Sequence, residues 1–342
     1  MVAAMIALFA LCAALPFDRY LAWQAAAGTQ MFHARWIYER LHYDRHPIDI
    51  AVIGSSRFEA GISPHVLADR LSARLGRPVS VANLAIVMPG RDFTYEIVRE
   101  LLLDHPEVRM IVLSDDGFIV NSHPMFRETA SPGELLAAPL LVNTRYFVNL
   151  LYMPYRNLRN LAEQMFPHMF GVSRNFRADQ YLGTNLDRTT GYRLPDGSSI
   201  NGPIHLDAAR LAIQSGFAVS RQNQGLAPFL LLPRDYALAI DRFYVPKIAA
   251  LLRPRGIGLA FLALPVFGRA QSPDDPAWYR SFGPLTSLDS LAQQPTLFQN
   301  GVHLNGAGAI RASQLAGDAL APLAAAMLGN NKSSRTGGKA VQ

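Results

Sequence analysis

Two short segments of the chain carry residue types suited to acyl chemistry. The first, Gly54-Ser55-Ser56-Arg57, directly follows an apolar, β-branched run at 48–53. A serine in that place stands beyond the carboxyl end of a strand, where open α/β sheets bind ligands. It also stands at a helix N-terminus, whose N–H groups stabilise a developing oxyanion. An N-cap serine occupies the same position for purely structural reasons, so Ser55 and Ser56 are both open to that reading. The second segment, Asn300-Gly301-Val302-His303-Leu304-Asn305, lies in a loop before the last apolar helix. A serine nucleophile needs a base, most often histidine, and a third group to orient that base. Asn300, three residues ahead of His303 across a turn at Gly301, is placed to reach Nδ1. His303 is one of nine histidines, so its position alone does not single it out.

The surrounding pattern says what positions these segments. Apolar runs at 48–53, 79–84, 108–113 and 258–264 predict strands. Amphipathic stretches at 24–46, 64–75, 92–103, 237–252 and 307–327 predict helices. Strand, helix, strand, helix, strand at this spacing predicts an α/β sheet with parallel strands. Residues 133–204 break the rhythm and read as an insertion or cap. Its first part, 133–170, is rich in Leu, Tyr, Met and Phe and reads as helices packed in the core, with a membrane surface as the alternative. Its second part is polar, with Leu194-Pro195-Asp196-Gly197 as a turn. The small, polar residues 329–342 read as a disordered tail.

Composition narrows the classes. Half the residues are hydrophobic and 17% are charged, which excludes disorder for the bulk of the chain. The net charge is +6, carried almost wholly by scattered arginines. No basic stripe forms, which argues against a nucleic-acid partner. The single cysteine, Cys12, leaves no disulfide framework. The uncharged N-terminal run, continued past Asp18 and Arg19 through Trp23, predicts a single-pass signal anchor over 1–23 ahead of a body over 24–328. A cleaved signal peptide and a buried core helix are the alternatives.

Taken together, the ordered blocks resemble the SGNH (GDSL-like) serine hydrolase superfamily. Gly54-Ser55-Ser56 resembles the nucleophile block, which makes Ser56 the nucleophile. Asn300 to His303 resembles the block of the base. Asn83-Leu84-Ala85 through Pro89-Gly90 resembles the glycine block. The resemblance covers roughly 48–118 and 257–327, and the N-terminal run adds a likeness to membrane-anchored, exported members that acylate envelope polymers, alginate or cellulose.

The resemblance implies a three-layer α/β/α sandwich with a mainly parallel sheet. It implies catalysis by Ser56, His303 and Asn300, with an oxyanion hole at the N–H groups of Ser56 and Gly90 and no cofactor. The implied substrate is an acylated envelope polysaccharide, the implied partner a membrane-bound acyltransferase, and the implied location the periplasmic side of the inner membrane. The alternative is a catalytically impaired member that binds polysaccharide or scaffolds that acyltransferase. Two residues depart from the pattern. Asn300 stands where the family has Asp, with Asp289 as another carboxylate that could serve. Asp115 stands where many members place an oxyanion-hole Asn. Arg57 and Asp115 are candidate substrate contacts, and Tyr181, Tyr192 and Trp278 are candidate sugar platforms. His33, His42 and His46 are not spaced as a metal site.

Overall fold

A computed structural model describes residues 2–26, 29–88, 90–115, 121–172, 187, 189, 207–226, 232–270 and 275–329. The expected turn at 194–197, the aromatics Tyr181 and Tyr192, and all but residue 329 of the expected tail lie outside these residues.

The chain begins with α1 (Val2–Ala13), α2 (Arg19–Gln24) and α3 (His33–His42). Then β1 (Ile50–Ile53) leads through α4 (Ser56–Gly61) and α5 (Pro64–Leu75) to β2 (Val81–Asn83). Helix α6 (Arg91–Asp104) leads to β3 (Met110–Asp115). Three helices follow, α7 (Phe126–Thr129), α8 (Pro132–Ala137) and α9 (Tyr146–Met165). Then come α10 (Ala208–Leu226), α11 (Arg234–Ala237) and α12 (Ala239–Leu252), leading to β4 (Gly258–Ala263). The chain closes with α13 (Pro276–Arg280), β5 (Leu285–Ser287), the short pair β6 (Phe298–Asn300) and β7 (His303–Leu304), and α14 (Gly306–Gly329).

The fold is α/β. Five parallel strands form the central sheet in the order β2-β1-β3-β4-β5. Strand alternation divides the core in two. Ala51, Ile53, Ile111, Leu113, Leu259 and Phe261 face α3, α6 and α12. Ile50, Val52, Met110, Val112, Ala260 and Leu262 face α4, α5 and α14. Burial on both faces is why these strands read as continuous apolar runs rather than alternating ones. The order places a topological switch between β1 and β3, because the chain leaves β1 toward β2 and returns on the far side. A crevice opens at such a point beyond the carboxyl ends of the strands.

Local signals set the helix bounds. Ser63 caps α5 by accepting from the Val66 N–H, Pro64 takes the first turn, and Gly76 ends the helix at φ +65°. Asn305 caps α14 by accepting from the Gly308 N–H at 3.0 Å.

Two expectations are corrected. The N-terminal run does not form one helix through residue 23. Helix α1 has 12 residues, about 18 Å at 1.5 Å per residue, against about 30 Å of bilayer hydrocarbon. The chain then turns at Leu15-Pro16, and Asp18 caps a separate α2 by accepting from the Leu21 N–H. Tyr20, Leu21, Ala22 and Trp23 are buried, and Trp23 joins the core cluster beneath α3 and α6. The expected boundary at residue 23 therefore falls inside the body. Among the described residues no helix is long and apolar enough to cross a membrane. The second concerns part of 133–170. Leu135, Ala138 and Met153 join the core cluster, but α9 packs on α1, α2, α7 and α8 and leaves much of its apolar side exposed.

Candidate functional site

Ser56 opens α4 just after β1, at the switch point. Ser55 ahead of it is the N-cap and accepts from the Arg57 N–H at 3.3 Å. The two serines thus divide the roles left open by the sequence: Ser55 caps the helix, and Ser56 is half-buried with its hydroxyl available for other contacts. The backbone here is crowded. A Cβ on Gly54 would lie 2.5 Å from Cβ of Ser114 in β3, so only glycine lets the turn after β1 lie this close to its neighbour. The Gly54 carbonyl accepts from the Ile86 N–H at 2.9 Å, which ties the loop after β2 to the Ser56 turn. Buried Asn83 fixes the far end of α4 by donating to the carbonyls of Phe58 (3.0 Å) and Ile62 (2.8 Å).

His303 arrives from the other end of the chain. Its Nε2 lies 2.9 Å from Ser56 Oγ. Its Nδ1 lies 3.0 Å from Asn300 Oδ1. The same Asn300 oxygen accepts from the N–H groups of Val302 (3.0 Å) and His303 (2.9 Å). Two backbone donors fix which way the amide points, because its NH₂ group has nothing to accept with. That orientation sets the tautomer: His303 Nδ1–H donates to Asn300, and Nε2 is left to accept the Ser56 hydroxyl proton. This is the geometry of a nucleophile, a base and an orienting group.

The base sits on the β6–β7 hairpin, in which Asn300 pairs with His303 across the turn Gly301-Val302. Helix α10 braces the turn from outside. Gly301 N–H donates to Gln214 Oε1 at 3.1 Å, and a Cβ on Gly301 would press into the α10 backbone at Leu211 and Ser215. Asn305 holds the strands from below, its amide donating to the Thr296 carbonyl at 2.8 Å and the Phe298 carbonyl at 3.3 Å.

Gly90, the second expected oxyanion donor, precedes α6 and packs against His123. His123 is buried. Its Nε2–H donates to the Val87 carbonyl at 2.9 Å, its Nδ1 accepts from the Met125 N–H at 3.0 Å, and its ring stacks on Phe93. Burial pushes its pKa down to about 4, so it is neutral at pH 7. Asp92 receives the His123 N–H at 3.0 Å and the Phe93 N–H at 2.8 Å. Burial raises its carboxyl to about 6. Met88, in the same loop, adopts φ +71°, a left-handed conformation costly for a side-chain-bearing residue. Val87 and Gly90 are thus held from behind by His123 and Asp92. Sequence reasoning missed both residues, since no spacing rule links positions 31 apart.

The remaining candidates fall differently. Arg57 is the first of the two candidate substrate contacts. It is 9% exposed, and its guanidinium donates to the Leu264 carbonyl at 3.3 Å, which commits it to the body. Asp115 ends β3, 4% exposed, in register with Ala263. Near it Arg91 bridges the Ser114 carbonyl and Asp241, which in turn accepts from Tyr279 Oη at 2.7 Å. Asp289 lies in a 3₁₀ turn after β5. Trp278 packs against Tyr279 and Phe282 and lies under the Arg242 guanidinium, so it is a packing residue. The three N-terminal histidines are separated: His33 faces Glu59, His42 bridges Glu100 and Asp104, and His46 contacts Asp44. A cavity of about 580 Å³ lies at the amino ends of β3 and β4, away from Ser56, lined by His105, Arg109, Arg255 and Met327.

Neither a family model nor a curated protein matches the chain.

Proposed function

We propose that the protein is an SGNH-type serine esterase or O-acyltransferase, acting on acetyl-like esters of an envelope or exopolysaccharide on the periplasmic side of a bacterial membrane. The observation that carries this reading is the Ser56–His303–Asn300 relay, with contacts of 2.9 and 3.0 Å, at the switch point of a parallel sheet. The strand order 2-1-3-4-5 is the flavodoxin-like one, as expected of a three-layer sandwich of this kind. Ser56 Oγ attacks the acyl carbonyl while His303 Nε2 takes its proton. The oxyanion is held by the N–H groups of Ser56 and Gly90. The intermediate collapses, and His303 returns the proton to the departing alcohol. Water or a sugar hydroxyl then resolves the acyl-serine by the same steps, with no cofactor. The polymer, and a membrane-bound acyltransferase as donor of the acyl group, come from the family resemblance alone.

A second reading is favoured by Asn300 itself. An amide orients the imidazole but lends no charge to the imidazolium, and an Asp-to-Asn change in a serine protease costs about 10⁴ in kcat. On this reading the chain binds the polysaccharide or scaffolds the acyltransferase. Hydrolysis of p-nitrophenyl acetate by the full chain, beside Ser56→Ala, separates the two. Turnover that disappears in Ser56→Ala supports the enzyme, whereas turnover equal in both proteins would sink it.

A further inference from the structure

Helix α9 is built inside out. Four of its five buried positions are polar: Asn149, Arg156, Asn157 and Asn160 are all at most 3% exposed, and Met153 is the fifth. Each of the four has work to do there. Asn157 donates to the carbonyls of Cys12, Ala13 and Leu15 at the end of α1. Asn160 accepts from the Asp18 N–H and donates to its carbonyl. Arg156 donates to the carbonyls of Arg127 and Ala130, and Asn149 donates to Ser122 Oγ. The outward positions are the apolar ones. Phe147, Val148, Leu151, Tyr155, Leu158 and Met165 follow one another at helical spacing, and all are exposed, Leu151 by 69%. The stripe continues past the helix through Phe166, Met169 and Phe170. Beside it runs α1, which has no charged residue and exposes Leu8 and Leu11.

We propose that this face lies in the interfacial layer of an anionic phospholipid bilayer, with α9 parallel to the surface. A helix in water turns its polar side outward; the reverse order fits an apolar medium. Helix α9 has 20 residues, about 30 Å at 1.5 Å per residue, so its apolar stripe far exceeds the scattered exposed residues normal for a water-facing surface. Charge complementarity selects the occupant. No carboxylate occurs in residues 2–17, 139–155 or 164–172. The ionisable residues there are Arg145 at the start of α9, His168 beyond its end, the buried Cys12 and the tyrosines. The one carboxylate within α9, Glu163, lies 3.4 Å from Arg159. An apolar face free of carboxylates and bordered by the Arg145 guanidinium suits acyl chains beneath anionic headgroups. The attachment also bears on the site without depending on its chemistry: Asn149 bonds to Ser122, next to the His123 that backs Gly90.

The test is co-sedimentation of the full chain with phosphatidylglycerol-rich vesicles and with pure phosphatidylcholine vesicles. The chain is expected to pellet with the former more than the latter. Leu151→Glu combined with Leu158→Glu is expected to cut that partition by about tenfold or more, with thermal unfolding and esterase turnover in solution unchanged, because both side chains are exposed. Wild-type chain that stays in the supernatant overturns the proposal. So does a double variant that pellets like wild type, or a dimer that the two substitutions dissolve without any vesicle binding.

Discussion

Gly90 lies so close to His123 that a methyl group on its Cα would fall on the His123 Cβ and crowd its backbone nitrogen. The loop offering the Gly90 N–H is therefore pressed against a buried ring and cannot move backward. Gly90→Ala is expected to push the loop away from its place. Ester turnover should fall by about 10²-fold, the cost of losing one oxyanion donor, while stability falls by about 1–3 kcal/mol through overpacking. Steady-state kinetics beside thermal unfolding checks this; turnover within twofold of wild type would remove Gly90 from the oxyanion hole.

His123 makes the same loop sensitive to acid. Its folded pKa is depressed to about 4 from 6.5. Its contribution to stability is therefore full above pH 6.5 and is lost as pH falls toward 4, by on the order of 3 kcal/mol. Asp92, raised to about 6, acts in the opposite sense, since its contribution is lost as pH rises through 6. His123→Asn keeps an acceptor for the Met125 N–H and cannot titrate. The difference in unfolding free energy between wild type and variant should shrink between pH 6.5 and 4. A constant difference would contradict the buried, neutral imidazole.

Asn300→Asp replaces one acceptor by a stronger one in a place already aimed at three N–H groups. The carboxylate would stabilise the imidazolium formed as Ser56 loses its proton. Turnover of p-nitrophenyl acetate is expected to rise by about tenfold or more, given the cost of the reverse change in a serine protease. A fall in turnover would mean that the site is tuned to the amide.

Asn157 satisfies three carbonyls at the end of α1. Asn157→Leu leaves them without that donor in a buried place and should cost about 1–3 kcal/mol. It should also expose the connection at residues 14–18 to limited proteolysis, while the esterase rate of uncleaved protein stays unchanged.

The strands were legible because they are buried on both faces. The runs at 48–53 and 108–113 contain the observed β1 and most of β3, and 64–75 coincides with α5 because Ser63, Pro64 and Gly76 mark both its ends. The shift of β3 to Met110–Asp115 shows the limit: Ser114 and Asp115 are polar, and pairing with β4 alone extends the strand over them. Strand β5 and the β6–β7 hairpin are too short to leave a pattern. The Ser56–His303 pair was legible only through a resemblance in block order. Helix α9 misled for a physical reason. Its periodicity gives an apolar side and a polar side but does not say which meets the body, and the asparagines here answer to the backbone ends of α1 and α2.

Ser56 and His303 are separated by 247 positions along the chain. During synthesis Ser56 emerges first and His303 follows 247 residues later, so the nascent chain long presents the serine without its histidine partner. Behind the hairpin, α14 contacts β7 and docks on α4 and α5. Contacts of such long sequence separation form late, because loop closure must come first. Helix α14 thus serves two places at once: Ala312, Ala316, Leu320, Ala324 and Leu328 cover one face of the sheet, and the same helix backs the hairpin, so its loss would uncover the core and unseat His303 together.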